Sequence, residues 1–280
     1  MKKLFKVFIS FDIEGVSAIT ARSEYRKDSD NWEPIRRIAT GEVNAAVRGI
    51  RKVKPNAVIV VCDSHAEGMN LLVDQLEPGI QLVKGTPRTY YMVEGIDRSF
   101  DLLFLIGYHA MAGTRKGLMD HTYSSSLIYR IKVNGIEVGE TEINAAVAGF
   151  YDVPLGLVTG DDQLNKEVRK FFGAVVETVI TKYGISRSAA RIRLPADVIA
   201  EIELKANKAC TKINNLKTFN FKKPLIADFD LINTLIADVC EPLPGIKRIS
   251  GRQLRYTAKD ILEFYRILGL ICDLGAAALT

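Results

Sequence analysis

The sequence predicts an α/β fold: a mostly parallel central sheet with flanking helices, plus a smaller C-terminal α/β region. Three observations predict it. Residues 7–11, 57–62 and 101–106 are short apolar runs without alternation, the composition of strands buried on both faces. A helical period lies between the first two runs, which makes a parallel βαβ unit. Each run also ends in polar residues of ligand type, and that edge is where open α/β sheets bind ligands.

The first strand lies in LFKVFISFDIEG, residues 4–15, where Val7, Phe8, Ile9 and Phe11 are too few for a free-standing helix and Gly15 stops the run. Asp12 and Glu14 follow two residues apart, and side chains two apart in an extended chain share a face. Two carboxylates at a buried strand tip repel each other unless a cation or a shared proton lies between them. A solvated loop with acids by chance is the plainer alternative. Residues 16–31 are polar and irregular, a loop over the strand tip. Trp32, Glu33 and Pro34 open a helix that Ile35, Ile38, Ala39, Val43, Ala46, Val47 and Ile50 continue to about Val53. The second strand, 57–62, is tipped by Asp63, Ser64 and His65. Residues 69–85 read as a short helix ending near Pro78 and a strand over 80–83, and 86–95 as another short helix.

The strand at 101–106 is tipped by Gly107, Tyr108 and His109. A loop over 110–120 carries Arg115 and Lys116, which attract a substrate carboxylate or are merely solvated, and leads to His121. Alternation in SLIYRIKV places a strand within 122–133, Asn134-Gly135 is a hairpin turn, and 136–138 return. Glu140 and Glu142 open an apolar helix to Phe150, a place where acids are favoured on dipole grounds alone. A strand at 155–159 is tipped by Gly160, Asp161 and Asp162. Beyond it come a helix at 163–172, a strand at 174–181, a linking stretch at 186–193 and a long helix from Pro195 to about Ile213. A strand at 224–230, a turn at Pro242, Pro244 and Gly245, and a final helix capped by Thr257 complete the chain. Residues 1–185 are expected to form the metal-binding catalytic region and 186–280 a C-terminal α/β region. No flexible linker marks that boundary, so a single domain fits as well.

Composition bounds the function. At 280 residues, 48% hydrophobic and 25% charged, the chain is an ordinary soluble globular protein. A net charge of +5 from 38 basic and 33 acidic residues, with no basic block, gives no footprint for nucleic acid. No apolar stretch is long enough to span a membrane. Lys2 and Lys3 ahead of an apolar run faintly mimic a leader, but Lys6 breaks the run and Asp12 cuts it short. Cys62, Cys210, Cys240 and Cys272 lie far apart with no C-x-x-C pair, so reduced thiols in a cytoplasmic protein are expected.

The chain has three histidines, His65, His109 and His121, two at strand tips and the third twelve residues past the second. Imidazole and carboxylate donors without thiolates suit zinc, manganese or another first-row divalent ion better than calcium. Asp12, Glu14, His65, His109 and one more carboxylate suffice for two ions sharing a bridging aspartate, an arrangement that supports metal-assisted hydrolysis.

A set of ordered motifs resembles the zinc-dependent D-stereospecific aminopeptidases. They are SFDIEGVS from Ser10, DSH from Asp63 with Met69-Asn70 after it, MVEGID from Met92 and GYHA from Gly107. The G-x-M-x-H run ending at His121, V-G-E-x-x-x-N-A from Val138, YDVP around Asp152, GDD from Gly160 and ISRSA from Ile185 extend the likeness. It is dense to about residue 190 and fades afterwards. The resemblance implies two zinc ions with Asp12 bridging, Glu14 and His109 on one ion, and His65 and Glu140 on the other. It implies that His121 is a catalytic residue outside the metal shell; read from chemistry alone, it is a general acid or base or an oxyanion stabiliser. It implies a short peptide or amino-acid amide as substrate, and a self-compartmentalising ring of ten subunits. The alternatives are a phosphatase of the haloacid-dehalogenase kind, with Asp12 as nucleophile and Gly160-Asp161-Asp162 as its magnesium motif, or a non-catalytic metal-binding assembly protein.

Overall fold

The computed structural model describes residues 4–279, so Lys2 and Lys3 lie outside the described residues. In chain order the elements are β1 (Lys6–Phe11), α1 (Trp32–Val53), β2 (Val58–Asp63), β3 (Gln81–Val83), β4 (Leu102–Ile106), β5 (Ile128–Val133) and β6 (Ile136–Val138). There follow α2 (Glu140–Phe150), β7 (Leu155–Asp161), α3 (Asp162–Phe172), β8 (Glu177–Ser186), β9 (Ala189–Ile192) and α4 (Pro195–Thr211). The chain closes with β10 (Leu225–Leu231), α5 (Thr234–Cys240), β11 (Lys247–Ser250), β12 (Gln253–Ala258) and α6 (Ile261–Ala278).

Seven strands form one sheet in the order β3-β2-β1-β4-β7-β8-β9, parallel at every pairing except β8 with β9. β1 lies between β2 and β4, and both of its faces are covered. Val7, Ile9 and Phe11 pack with Val43 and Val47 of α1 and Ile202 and Ala206 of α4, while Phe8 joins the opposite core with Ile143 of α2 and Phe264 of α6. That double burial is why the strand reads as continuously apolar. A second sheet, β11-β12-β10-β5-β6, is antiparallel throughout. The division expected near residue 185 falls inside β8, and the second sheet joins strands from either side of it.

Several short elements differ from expectation for local reasons. The helices expected at 69–78 and 86–95 are single 3-10 turns at Val73–Gln75 and Tyr91–Val93. In the first, the Asp63 carboxylate accepts the amides of Asn70 and Leu71 and Arg36 donates to their carbonyls, so these groups are not free to form a helical ladder. The stretch at 186–193 is no linker but holds β9, which turns back on β8. Thr257 does not cap the last helix: it pairs with Ile226 inside β12, and the Asp260 carboxylate caps α6 by accepting the amide of Glu263 at 2.9 Å. All four cysteines are free thiols, and among the described residues no helix is long and apolar enough to cross a membrane.

Candidate metal centre

The carboxyl ends of β2, β1 and β4 are adjacent in the sheet, and the six residues singled out from the sequence gather over them. Asp12 and Glu14 follow β1, His65 follows β2, His109 follows β4, His121 comes from the loop beyond it, and Glu140 is the first residue of α2. The tips of β1 and β4 are pressed together: Gly15 donates to the Gly107 carbonyl at 2.7 Å, and a Cβ on Gly15 would lie 1.9 Å from the Tyr108 carbonyl oxygen. Only glycine permits that approach. Asp12, Glu14, His109 and Glu140 are buried, with His65 and His121 at the edge of a cavity of ≈ 220 Å3.

His109 Nε2 lies 3.4 Å from both Asp12 Oδ2 and Glu140 Oε1. His65 Nε2 lies 3.6 Å from Glu14 Oε1, and His121 Nε2 lies 3.7 Å from Glu140 Oε1. The rings of His109 and His121 stack at 3.9 Å. The ligand atoms of Asp12, Glu14 and His109 fall within 4.8 Å of one another, as do those of His109, His121 and Glu140. The shortest imidazole–carboxylate contacts join His109 to Asp12 and to Glu140, and the grouping of Asp12, Glu14 and His109 is the set that the resemblance implied for one ion and its bridge.

Backbone carbonyls fix two of the imidazole tautomers. His109 Nδ1 lies 3.0 Å from the Ala110 carbonyl and His121 Nδ1 lies 2.8 Å from that of Met119. A carbonyl only accepts, so each Nδ1 carries the proton and each neutral ring presents a lone pair at Nε2. On His109 that lone pair meets two carboxylate oxygens, a repulsive arrangement that a proton or a cation must relieve. Burial lowers the His109 pKa, but Glu140, Asp12 and Glu14 together hold it well above the ordinary value. Burial and then the neighbouring Glu14 push Asp12 well up. Burial works against ionised Glu14 too, yet His65, His121 and His109 keep its pKa low. Burial and then His109 lower the pKa of His121. Glu14 Oε2, His65 Nδ1 and His109 Nε2 are buried without a hydrogen-bond partner. Three carboxylates, imidazoles with free lone pairs and no thiolate fit zinc.

Glu140 does not serve as a mere helix-end acid. The Gly139 amide is accepted by Glu142 at 2.8 Å, which leaves Glu140 to face the histidines while accepting the Tyr123 amide at 2.6 Å.

Sequence reasoning missed the residues that hold these groups in place. Tyr25, buried in the loop after β1, donates to Glu14 Oε1 at 2.8 Å and meets His65 edge-on. Lys182 of β8 is fully buried and donates to the carbonyls of Glu14, Val16 and Ile19 at 2.6, 2.7 and 2.6 Å, while Thr181 donates to that of Gly15 at 2.6 Å. Glu42 of α1 accepts the amide and hydroxyl of Ser17 in the same segment. Ala66, Tyr91 and Tyr123 line the cavity at φ of 49°, 32° and 61°, left-handed backbone that non-glycine residues adopt only where surroundings dictate it. None of these has a periodic signature; Lys182 alone carries a signal, as a charge inside an apolar strand run.

Other candidates fall outside the site. Asp161 caps α3 through the amides of Gln163 and Leu164, and Asp162 accepts the Gly184 amide. Both are engaged in structure, which removes the magnesium motif that the phosphatase alternative required. Arg115 and Lys116 are exposed and do not line the cavity.

A family model described as D-aminopeptidase matches residues 5–270. The D-aminopeptidase of Bacillus subtilis (strain 168) is 32% identical over 274 residues, covering 96% of this chain and 97% of that protein. Among solved structures, the Zn-dependent D-aminopeptidase DppA from Bacillus subtilis, described as a self-compartmentalizing protease, is similar with a TM-score of 0.92. That likeness has 30% identity and spans 97% of this chain and 98% of the other.

Proposed function

The chain belongs to the D-aminopeptidase family, and from that membership we propose that it is a zinc-dependent hydrolase that removes an N-terminal D-residue from short peptides or amino-acid amides. The observation that carries the reading is the gathering of Asp12, Glu14, His65, His109 and Glu140 over three adjacent strand tips, with buried donor atoms lacking any partner. We assign these five residues to two zinc ions with Asp12 between them. Bound zinc supplies Lewis acidity toward a carbonyl oxygen and makes water acidic near neutral pH.

The chain's own residues do the rest. His121 presents a bare Nε2 to the cavity and is kept neutral by burial and by His109, so it can take a proton or accept a hydrogen bond during amide cleavage. Its Nδ1–H, held by the Met119 carbonyl, fixes the ring. Tyr91, Met92 and Tyr123 wall the cavity and limit what lies beside the scissile amide. We extend to this chain the self-compartmentalizing assembly named for the relative, as a closed ring of ten subunits, and place it in the cytoplasm in keeping with its free thiols.

The test pairs D-alanine amide with L-alanine amide on zinc-loaded protein and on His121→Ala. Cleavage of the D-amide is expected, and the variant should keep its zinc by elemental analysis while losing about a hundredfold or more in rate. Equal cleavage of the two enantiomers would refute the D-preference. Release from phosphate esters with none from an aminoacyl panel would replace the peptidase reading altogether.

A further inference from the structure

The 3-10 turn Arg22–Tyr25 carries two side chains of interest. In a 3-10 helix residues three apart eclipse one another, so Arg22 and Tyr25 lie on the same side. Tyr25 is fixed on Glu14, and Arg22 accordingly lines the same cavity. The turn itself is pinned: Glu24 Oε1 accepts the amide of Thr20 at 2.9 Å, its hydroxyl at 2.7 Å and the amide of Ala21 at 2.9 Å. Arg22 is thus presented from a rigid support rather than a loose loop.

Arg22 is also uncommitted. Among the described residues no carboxylate forms an ion pair with it, and its one hydrogen bond is a long one, 3.4 Å to the Ser125 hydroxyl. Among the described residues it is the one lysine or arginine lining the cavity. Arg88 near the β2 tip is engaged, donating to the Asp63 carbonyl at 2.7 Å. The cavity thus has the buried residues assigned to zinc on one side and the Arg22 guanidinium on another. At ≈ 220 Å3 it is smaller than the roughly 300–1,000 Å3 usual for drug-sized ligands, which limits the occupant to a short molecule.

We propose that Arg22, with the Ser125 hydroxyl beside it, binds the free C-terminal carboxylate of the substrate and makes this site selective for unblocked dipeptides. In a dipeptide bound with its N-terminal residue at the groups assigned to zinc, as the aminopeptidase reading requires, the free carboxylate is the end left to face the guanidinium. A planar guanidinium is suited to take a carboxylate in a bidentate manner. The inference rests on the aminopeptidase reading and names the substrate class of that same site.

The test measures kcat and KM on zinc-loaded protein for a D-alanyl dipeptide and for its C-terminal carboxamide, with R22Q and R22K alongside. The wild-type protein should favour the free acid. R22Q should lower kcat/KM for the acid roughly tenfold more than for the carboxamide, mainly through KM, because a carboxylate contact is made equally in ground and transition states. R22K, which keeps the charge but not the fork, should recover part of the discrimination. Wild-type turnover of both substrates, with R22Q changing both equally or neither, would overturn the role of Arg22 alone. Failure of the wild-type protein on both substrates and on aminoacyl amides would overturn the aminopeptidase reading and the inference with it.

Discussion

At the residue scale, Asp12, which meets His109 and has Glu14 and Glu140 as charged neighbours, is the proposed ligand whose loss should matter most. Asp12→Ala should lose both zinc ions, whereas His65→Ala should weaken one, as read by metal stoichiometry after dialysis against a weak chelator; full occupancy in Asp12→Ala would refute the bridging assignment. Glu42 supplies a pH dependence away from the metal ligands. Burial pushes its pKa up to about 7, against the Ser17 hydrogen bonds and Lys182, which lower it. A carboxyl group with a raised folded-state pKa stabilises the fold below its unfolded pKa, and that contribution is lost as pH rises through 7. Glu42→Gln keeps an oxygen for Ser17 but cannot ionise. Its melting temperature should therefore stay flatter between pH 5 and 8 than that of the wild type and exceed it at pH 8, a difference on the order of 3 kcal/mol in stability. A parallel decline in both proteins would exclude Glu42. The side chains that gather at the strand tips were legible in the sequence because histidine and paired acids are scarce and strand tips are easy to find. Tyr25 and Arg22 were not, since a loop residue's reach depends on how the loop folds back.

At the element scale, β8 does more than extend the sheet. Its Thr181 and Lys182 take four carbonyls of the segment behind Asp12 and Glu14, and the ammonium is fully buried. Lys182→Met leaves three buried carbonyls without donors, so it should cost on the order of 3–5 kcal/mol in urea unfolding. It should also loosen zinc binding beyond what the lost stability explains; unchanged zinc affinity in folded variant protein would show that the segment holds its shape unaided. The expected strand at 174–181 stopped one residue short of Lys182, because a lysine reads as an exit from an apolar run. The long periodic elements were legible: α1 runs Trp32–Val53 as its hydrophobic spacing indicates, and the Asn134-Gly135 hairpin joins β5 to β6. The short ones were not. β9, β11, β12 and α5 span four to seven residues each, too few for a period to emerge.

At the scale of the whole molecule, the two sheets are interleaved in sequence, with β5 and β6 belonging to a layer completed by β10, β11 and β12. A division near residue 185 would sever that layer, and no composition shift could have revealed the sharing. The proposed ring should appear in light scattering as one large closed species that persists on dilution; a stable monomer across concentrations would count against it. The interleaving also bears on synthesis. Lys182 lies 168 residues beyond Glu14, whose backbone carbonyl takes a hydrogen bond from its ammonium. At roughly 5–20 residues per second, a ribosome needs about ten to thirty seconds to travel from the acidic pair to the lysine that steadies it. Over that interval the turn that carries the acidic pair is held by Glu42 and Gly107, and three of its carbonyls wait for an ammonium made on the far side of the sheet.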